Sequence, residues 1–201
     1  MKNNDIIFKK VSSLLSKGVF KPISYKSKDI IFKEGEPCKK VGYILSGEVE
    51  IETLSYNGNQ DVISIIHEHE FFGQYLLFQN NGKYLGDCKA KGNLSLVLLS
   101  KEELLSFLHS DLSILEAYIS MISSDSYLIK QQVKLLSHKN ALDRVIYYLE
   151  NNSLKNEVLI TSVSDLAKEI NLPRETVSRA LTKLEKESFI LRDKNKIQLL
   201  K

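Results

Sequence analysis

Cysteine is scarce in this chain: Cys38 and Cys88 are the only two in 201 residues. Two thiols cannot build the disulfide framework that staples a small secreted domain, and they fall short of the four ligands of an iron–sulfur cluster. Long apolar runs are missing as well. The apolar stretches are short and interrupted by charge, so none is suited to span a bilayer. The opening MKNNDIIFKK has no apolar segment of the kind a secretory signal needs. The setting expected from these absences is a reducing cytoplasm, with no membrane partner. No tandem repeat or low-complexity tract is present. No Ser-His-Asp set, catalytic carboxylate pair or glycine-rich phosphate loop stands out, so no catalytic residue and no cofactor is expected.

A strong charge of either sign is also absent, since Lys+Arg 28 stand against Asp+Glu 25. The excess of +3 is unevenly placed. Residues 1–137 hold 16 basic and 16 acidic side chains, whereas residues 138–201 hold 12 basic and 9 acidic ones. The last third therefore carries the whole excess, a weak pointer toward a polyanion there. At 43% hydrophobic residues the chain can bury a core, which excludes a largely disordered protein, and its length allows one large or two small domains.

Three textures follow one another. From Ile23 to Leu99 short alternating runs are broken by turn signals: Asp29–Phe32, Val41–Leu45, Val49–Glu52 and Asp61–Ile66 predict strands. Glu34-Gly35-Glu36-Pro37, Ser46-Gly47 and Asn57-Gly58 predict the turns between them. Many short strands at close spacing predict a sandwich or roll. Ser100 with Glu103 then forms a capping box that opens a helix. The second texture is helical. Leu112, Leu115, Ile119, Ile122, Ser126, Ile129, Val133 and Leu136 recur in steps of three and four. A stripe this narrow favours a homodimer seam over packing on the chain's own core, with Ser126 as its polar flaw. His138-Lys139-Asn140 predicts a hinge and Ala141–Asn151 a further helix.

The third texture is compact. Val158–Ile160 predicts a strand, Ser162–Ile170 and Arg174–Glu187 predict helices around Asn171-Leu172-Pro173, and two short strands flank Arg192–Asn195 as a hairpin. Ser162 and Asp165 form a second capping box, Asn171 tolerates the left-handed stop, and Pro173 presets the next helix start. Small Ala167, turn-forming Asn171 and β-branched Val177 fill the roles a helix-turn-helix needs where its helices cross. Val177, Leu181 and Leu184 face inward, while Arg174, Glu175, Ser178, Arg179 and Lys183 face outward. An arginine fork suits guanine O6 and N7, and a carboxylate suits cytosine N4. These residues lie close enough on one helix to enter a single major groove.

The segment Leu159–Lys201, with Arg174-Glu175-Thr176-Val177-Ser178-Arg179 at its centre, resembles the winged helix-turn-helix of the CRP/FNR (catabolite activator) superfamily of bacterial transcription regulators. The resemblance covers nearly the whole chain. Phe32–Pro37 and Gly42–Val49 look like the family's first roll strands, and Phe71-Phe72-Gly73-Gln74 like the start of its cyclic-nucleotide cassette. It implies an α+β protein: an N-terminal double-stranded β-roll at residues 1–109, a long dimerisation helix at 110–137 and a winged helix-turn-helix at 138–201. It further implies a homodimer on a palindromic operator in double-stranded DNA. Arg174, Glu175 and Arg179 would be base readers, with Thr176, Ser178 and Lys183 beside them. RNA polymerase and an unidentified small-molecule effector are the further partners it allows. By the same resemblance the effector pocket would involve Phe72, Gly73, Gln74, Tyr84, Leu85 and Lys130. Here the chain departs from the family: Gln74 stands where cyclic-AMP binders have a ribose-holding glutamate, and Tyr84-Leu85 where they have an Arg-Ser pair. Without that arginine the cyclic phosphate has no charge-assisted partner, so control by cyclic AMP is not expected.

Two other classes compete. His67-Glu68-His69 hints at a cupin-like metal enzyme, but Asp61 and Glu70 do not match the glycine and glutamate spacing of those proteins, so a polar strand end and no metal are expected. A sensor whose winged domain binds a partner protein is the third reading. Cys38 and Cys88 are expected to be buried apolar-like residues rather than redox thiols.

Overall fold

The computed structural model describes residues 2–55 and 57–200 and divides into two compact units, Met1–Ile122 and Ser123–Lys201. The first unit runs α1 (Lys2–Ser16), β1 (Ile23–Tyr25), β2 (Ile30–Phe32), β3 (Lys40–Leu54), β4 (Gln60–Ile66), β5 (Phe71–Phe72), α2 (Gln74–Leu77), β6 (Asp87–Ser100), α3 (Lys101–His109) and the start of α4 (Leu112–Ser137). Its antiparallel sheet is ordered β1-β6-β3-β4, with β2 also on β6 and β5 also on β3. This is the expected roll, with two of the predicted strands joined into one long strand.

The difference lies at Ser46-Gly47. The runs predicted on either side form one strand, β3, which pairs with β6 from Lys40↔Ser100 to Glu52↔Asp87 and shifts register between Ile44, Ser46 and Glu48. Gly47 has φ 89°, and a Cβ on it would stand 2.4 Å from the Asn93 carbonyl oxygen of the facing strand. Glycine therefore serves a β-bulge here rather than a turn, and local sequence does not distinguish the two. Gly35 (φ 78°) and Gly58 (φ 79°) do make the predicted turns.

Two apolar clusters flank the sheet. Ile44, Val49, Phe72, Tyr84, Cys88, Ala90, Leu94 and Leu96 fill the roll interior. Val41, Tyr43, Phe71, Val97 and Leu99 pack outward onto Ile7 and Val11 of α1, Leu104 and Phe107 of α3, and Ile114, Ala117 and Tyr118 of α4. Helix α1, whose Ile7, Val11, Leu14 and Leu15 pack on this cluster, lies in a segment to which the sequence pattern assigns no element, because charged and polar neighbours dilute them. The Ser100–Glu103 capping box is present in both directions and starts α3.

The second unit contains the rest of α4, α5 (Ala141–Asn151), β7 (Glu157–Leu159), α6 (Val163–Glu169), α7 (Arg174–Lys186), β8 (Ile190–Asp193) and β9 (Lys196–Leu199). Its small antiparallel sheet is ordered β7-β9-β8. The predicted break at His138–Asn140 separates α4 from α5, and Asn140 caps α5 by accepting the Leu142 amide. Arg192 and Asp193, predicted as turn, continue β8 instead. The connection is only Lys194-Asn195, with Lys194 at φ 48°. Among the described residues no helix is long and apolar enough to cross a membrane.

Candidate nucleic-acid interface

Local chemistry positions α6 and α7, the second-unit helices that form a head beyond α5. Ser162 Oγ accepts the Asp165 amide at 3.0 Å, and its hydroxyl donates to the Asp165 carboxylate at 2.7 Å rather than completing a reciprocal backbone box. At the other end of α6, Leu172 N–H donates to Ala167 O and Asn171 N–H to Lys168 O, with Asn171 at φ 52°. This is the Schellman stop, and it turns the chain sharply. Pro173 is the cap of α7 rather than its first helical residue, and its carbonyl accepts from Thr176 and Val177. Leu166, Ala167 and Ile170 of α6 and its cap are buried against Val177, Ala180, Leu181 and Leu184 of α7. A helix with one face so completely buried must present the opposite face outward.

That outward face carries Arg174, Glu175, Ser178, Arg179 and Lys183, all exposed; Thr176 is half-buried at its flank. Arg179 Nε donates to the Glu175 carbonyl at 3.4 Å, which holds the guanidinium along the helix. Ser178, Arg179, Thr182, Lys183 and Lys186 line a shallow hollow of about 320 Å³. The acidic residues of α7 offset this positive surface less than their number suggests. Arg192 of β8 grips Glu185 with two nitrogens, and this bond holds the Glu185 carboxyl below the usual carboxylate range. Glu187 lies 3.8 Å from Lys183. Among the described residues Arg174 and Lys186 have no ion pair, so both remain available to phosphate or base.

One residue that sequence reasoning missed holds this head to the helix before it. The Arg144 guanidinium of α5 donates to Leu136 O (3.3 Å) and His138 O (3.0 Å) at the end of α4, and to Ile170 O (3.3 Å) and Asn171 O (3.2 Å) at the end of α6. Two helix C-termini, each with unpaired carbonyls and partial negative charge, converge on one cation. Arg144 carried no motif signal, because its four partners come from two segments that are distant in sequence.

Phe72, Gly73, Gln74, Tyr84 and Leu85 belong to the first unit. Phe72 and Tyr84 are core residues of the roll. Gly73 begins α2 at φ 83°, and the Gln74 side chain is buried with its oxygen unpartnered. Tyr84, 4% exposed, donates its hydroxyl to Lys40 O at 2.6 Å and stacks on Phe32 at 4.3 Å. Burial is the main force raising its hydroxyl far above the ordinary tyrosine range. Leu85 points outward at 73% exposure, and Lys130 belongs to the second unit. Of the six pocket residues, then, the roll gathers Phe72, Gly73, Gln74 and Tyr84.

Along α4 the stripe residues divide. Leu115 and Ile122 are half-buried against the roll's outer cluster, whereas Leu112, Ile119, Ser126, Ile129, Val133 and Leu136 are exposed. The histidines of His67-Glu68-His69 turn to different neighbours: His67 Nδ1 meets Glu48 at 2.8 Å, and the His69 ring lies 4.0 Å from that of Phe8. Among the described residues no three potential ligands gather into a metal site. Cys88 is buried, and burial pushes its thiol up to about 12; Cys38 is partly buried.

Comparison with known proteins places both units. The family model of the cyclic nucleotide-binding domain matches residues 22–111, and that of the Crp-like helix-turn-helix domain matches residues 142–201. The chain is 26% identical over 174 residues to the anaerobic regulatory protein of Bacillus subtilis, covering 82% of this chain and 73% of that one. It is 24% identical over 185 residues to the transcriptional regulator SdrP of Thermus thermophilus, covering 89% of each. Its fold matches the crystal structure of the Thermus thermophilus catabolite activator protein with a TM-score of 0.56 at 22% identity, covering 95% of this chain and 89% of that one.

Proposed function

We propose that this chain, which belongs to the CRP/FNR superfamily of DNA-binding transcription regulators, binds a palindromic operator as a homodimer in the cytoplasm and is not controlled by cyclic AMP. Its working parts are a roll at residues 1–109, a dimerisation helix at 110–137 and a reading head at 138–201. The observation that carries the proposal is the exposed face of α7. Arg174, Glu175, Ser178 and Arg179 project from its first turns, behind a turn fixed by Asn171. The helix N-terminus enters the major groove, with the arginines on guanines, Glu175 on a cytosine amine, and Thr176, Ser178 and Lys183 on neighbouring groups. Two such helices about 34 Å apart, related by a two-fold axis, require inverted half-sites.

The exposed stripe on α4 supports the dimer, because apolar side chains at heptad spacing gain most when a second helix covers them. Tyr84 supports the absence of cyclic-AMP control: in place of a cation for the phosphate, the roll has a buried phenol committed to Lys40 O and Phe32. Either another small molecule then controls the protein, or the dimer is fixed in a competent state, with RNA polymerase as a further partner. No enzymatic step is part of this reading.

Selection of genomic fragments bound by the full chain gives the operator and its half-site spacing. Against that operator, Arg179→Ala is expected to lose about 1–3 kcal/mol of discrimination per half-site while weak, salt-sensitive binding to any DNA persists. Operator preference equal to the parent's would remove Arg179 from the reading face. Failure to select any DNA would favour a protein-binding role for the winged domain.

A further inference from the structure

Within the second unit, α4, α5 and the end of α6 enclose an open-sided cleft of about 540 Å³. This volume lies in the range of small-molecule sites. Its walls mix the apolar Leu128 and, at the rim it shares with the proposed dimer seam, Ile129 with Tyr147, Tyr148 and Asn151, and Glu169 also lines it. Leu128 stands beside the seam stripe rather than on it, yet it is 61% exposed. The cleft is built in advance of any ligand. The Tyr148 hydroxyl donates to the Glu169 carboxylate, and Gln132 Nε2 donates to the Glu169 backbone carbonyl at 3.3 Å. Among the described residues lining it, Glu169 alone is charged. One face of Tyr147 already holds the Lys134 ammonium 5.2 Å from the ring centroid, so the aromatic wall suits cations.

We propose that this cleft binds a small aromatic cation, an arylalkylamine or amidine, with its ring between Leu128 and the two tyrosines and its charge on the Glu169 carboxylate. Occupancy changes operator affinity. The three elements that wall the cleft are those that Arg144 ties to the turn of the reading head, and a wedge between them biases that joint. This regulatory half rests on the operator-binding reading; the site itself does not.

The test titrates phenethylamine, tryptamine and benzamidine into the full chain, with phenylacetate as a control of opposite charge, and follows binding by NMR. At least one cation is expected to bind saturably with shifts at Tyr147 and Tyr148, and phenylacetate is not. Glu169→Gln keeps an acceptor for the Tyr148 hydroxyl but removes the charge, and should weaken binding roughly tenfold. Absence of saturable binding, equal binding of acid and amine, or an unchanged affinity in E169Q would overturn the site. A disulfide formed between two protomers of Leu128→Cys would assign the cleft to a second copy's helix and likewise overturn it. The selected operator, titrated with and without the bound amine, reads the coupling: unchanged DNA affinity overturns regulation and leaves the site standing. Failure to bind any DNA sinks the operator reading instead.

Discussion

The roll interior and the reading head use their large side chains in opposite ways. In the head, the residues suited to base contact stand exposed on a helix whose other face is fully buried. In the roll, Tyr84 stacks on Phe32 and belongs with Phe72 and Leu96 to the buried core. The contrast is between an interior closed by large apolar side chains and a helix face left open to solvent. Phe32, Phe72 and Tyr84 fill the roll, and each large ring removed from water contributes to its stability.

The comparison breaks first at Phe72. If the roll interior is packing, Phe72→Ala should cost about 3–5 kcal/mol and lower the melting temperature of the roll. A melting curve unchanged from the parent's would mean that the interior is a cavity awaiting a ligand. Arg144→Met tests the other side. It removes the donor to four carbonyls at the joint, an expected loss of about 1.5–3 kcal/mol if the surviving carbonyls rehydrate only in part. Chemical denaturation measures the loss, and operator affinity should fall more than it does in an α7 surface variant such as Lys186→Ala. Val133→Glu sharpens the contrast between packed and open apolar residues. Val133 is 63% exposed, so folding stability at low concentration should change by no more than about 0.5 kcal/mol while the homodimer dissociates in sedimentation. A dimer that survives the substitution would move the seam elsewhere. The smallest expected effect is no effect: calorimetry with cyclic AMP should show no binding, and micromolar or tighter binding would restore the cassette as a nucleotide site.

The reading head was legible because its signals are short-range. Ser162, Asn171, Pro173 and the spacing of Val177, Leu181 and Leu184 act within a few residues of one another, and the helix period alone turns Arg174 and Arg179 outward. The roll was legible as a class, but its strands were not. The bulge at Gly47 looks like a turn until the backbone of Asn93 is known to lie against it. The proposed pocket was not legible in the same way: Tyr84 and Leu85 are adjacent in sequence, but the burial of one and the exposure of the other depend on the packed roll.

Sequence by itself determined the order of the three textures, the helix starts and stops, the outward face of α7 and the stripe on α4, because each follows from backbone sterics, capping and periodicity along a single segment. Tertiary structure decided which glycine bulges, what fills the roll, which wall residues make a cleft around Glu169, and that Arg144 joins two helix ends. Those features depend on groups separated by tens of residues meeting at hydrogen-bond distance, and local pattern carries no record of such meetings.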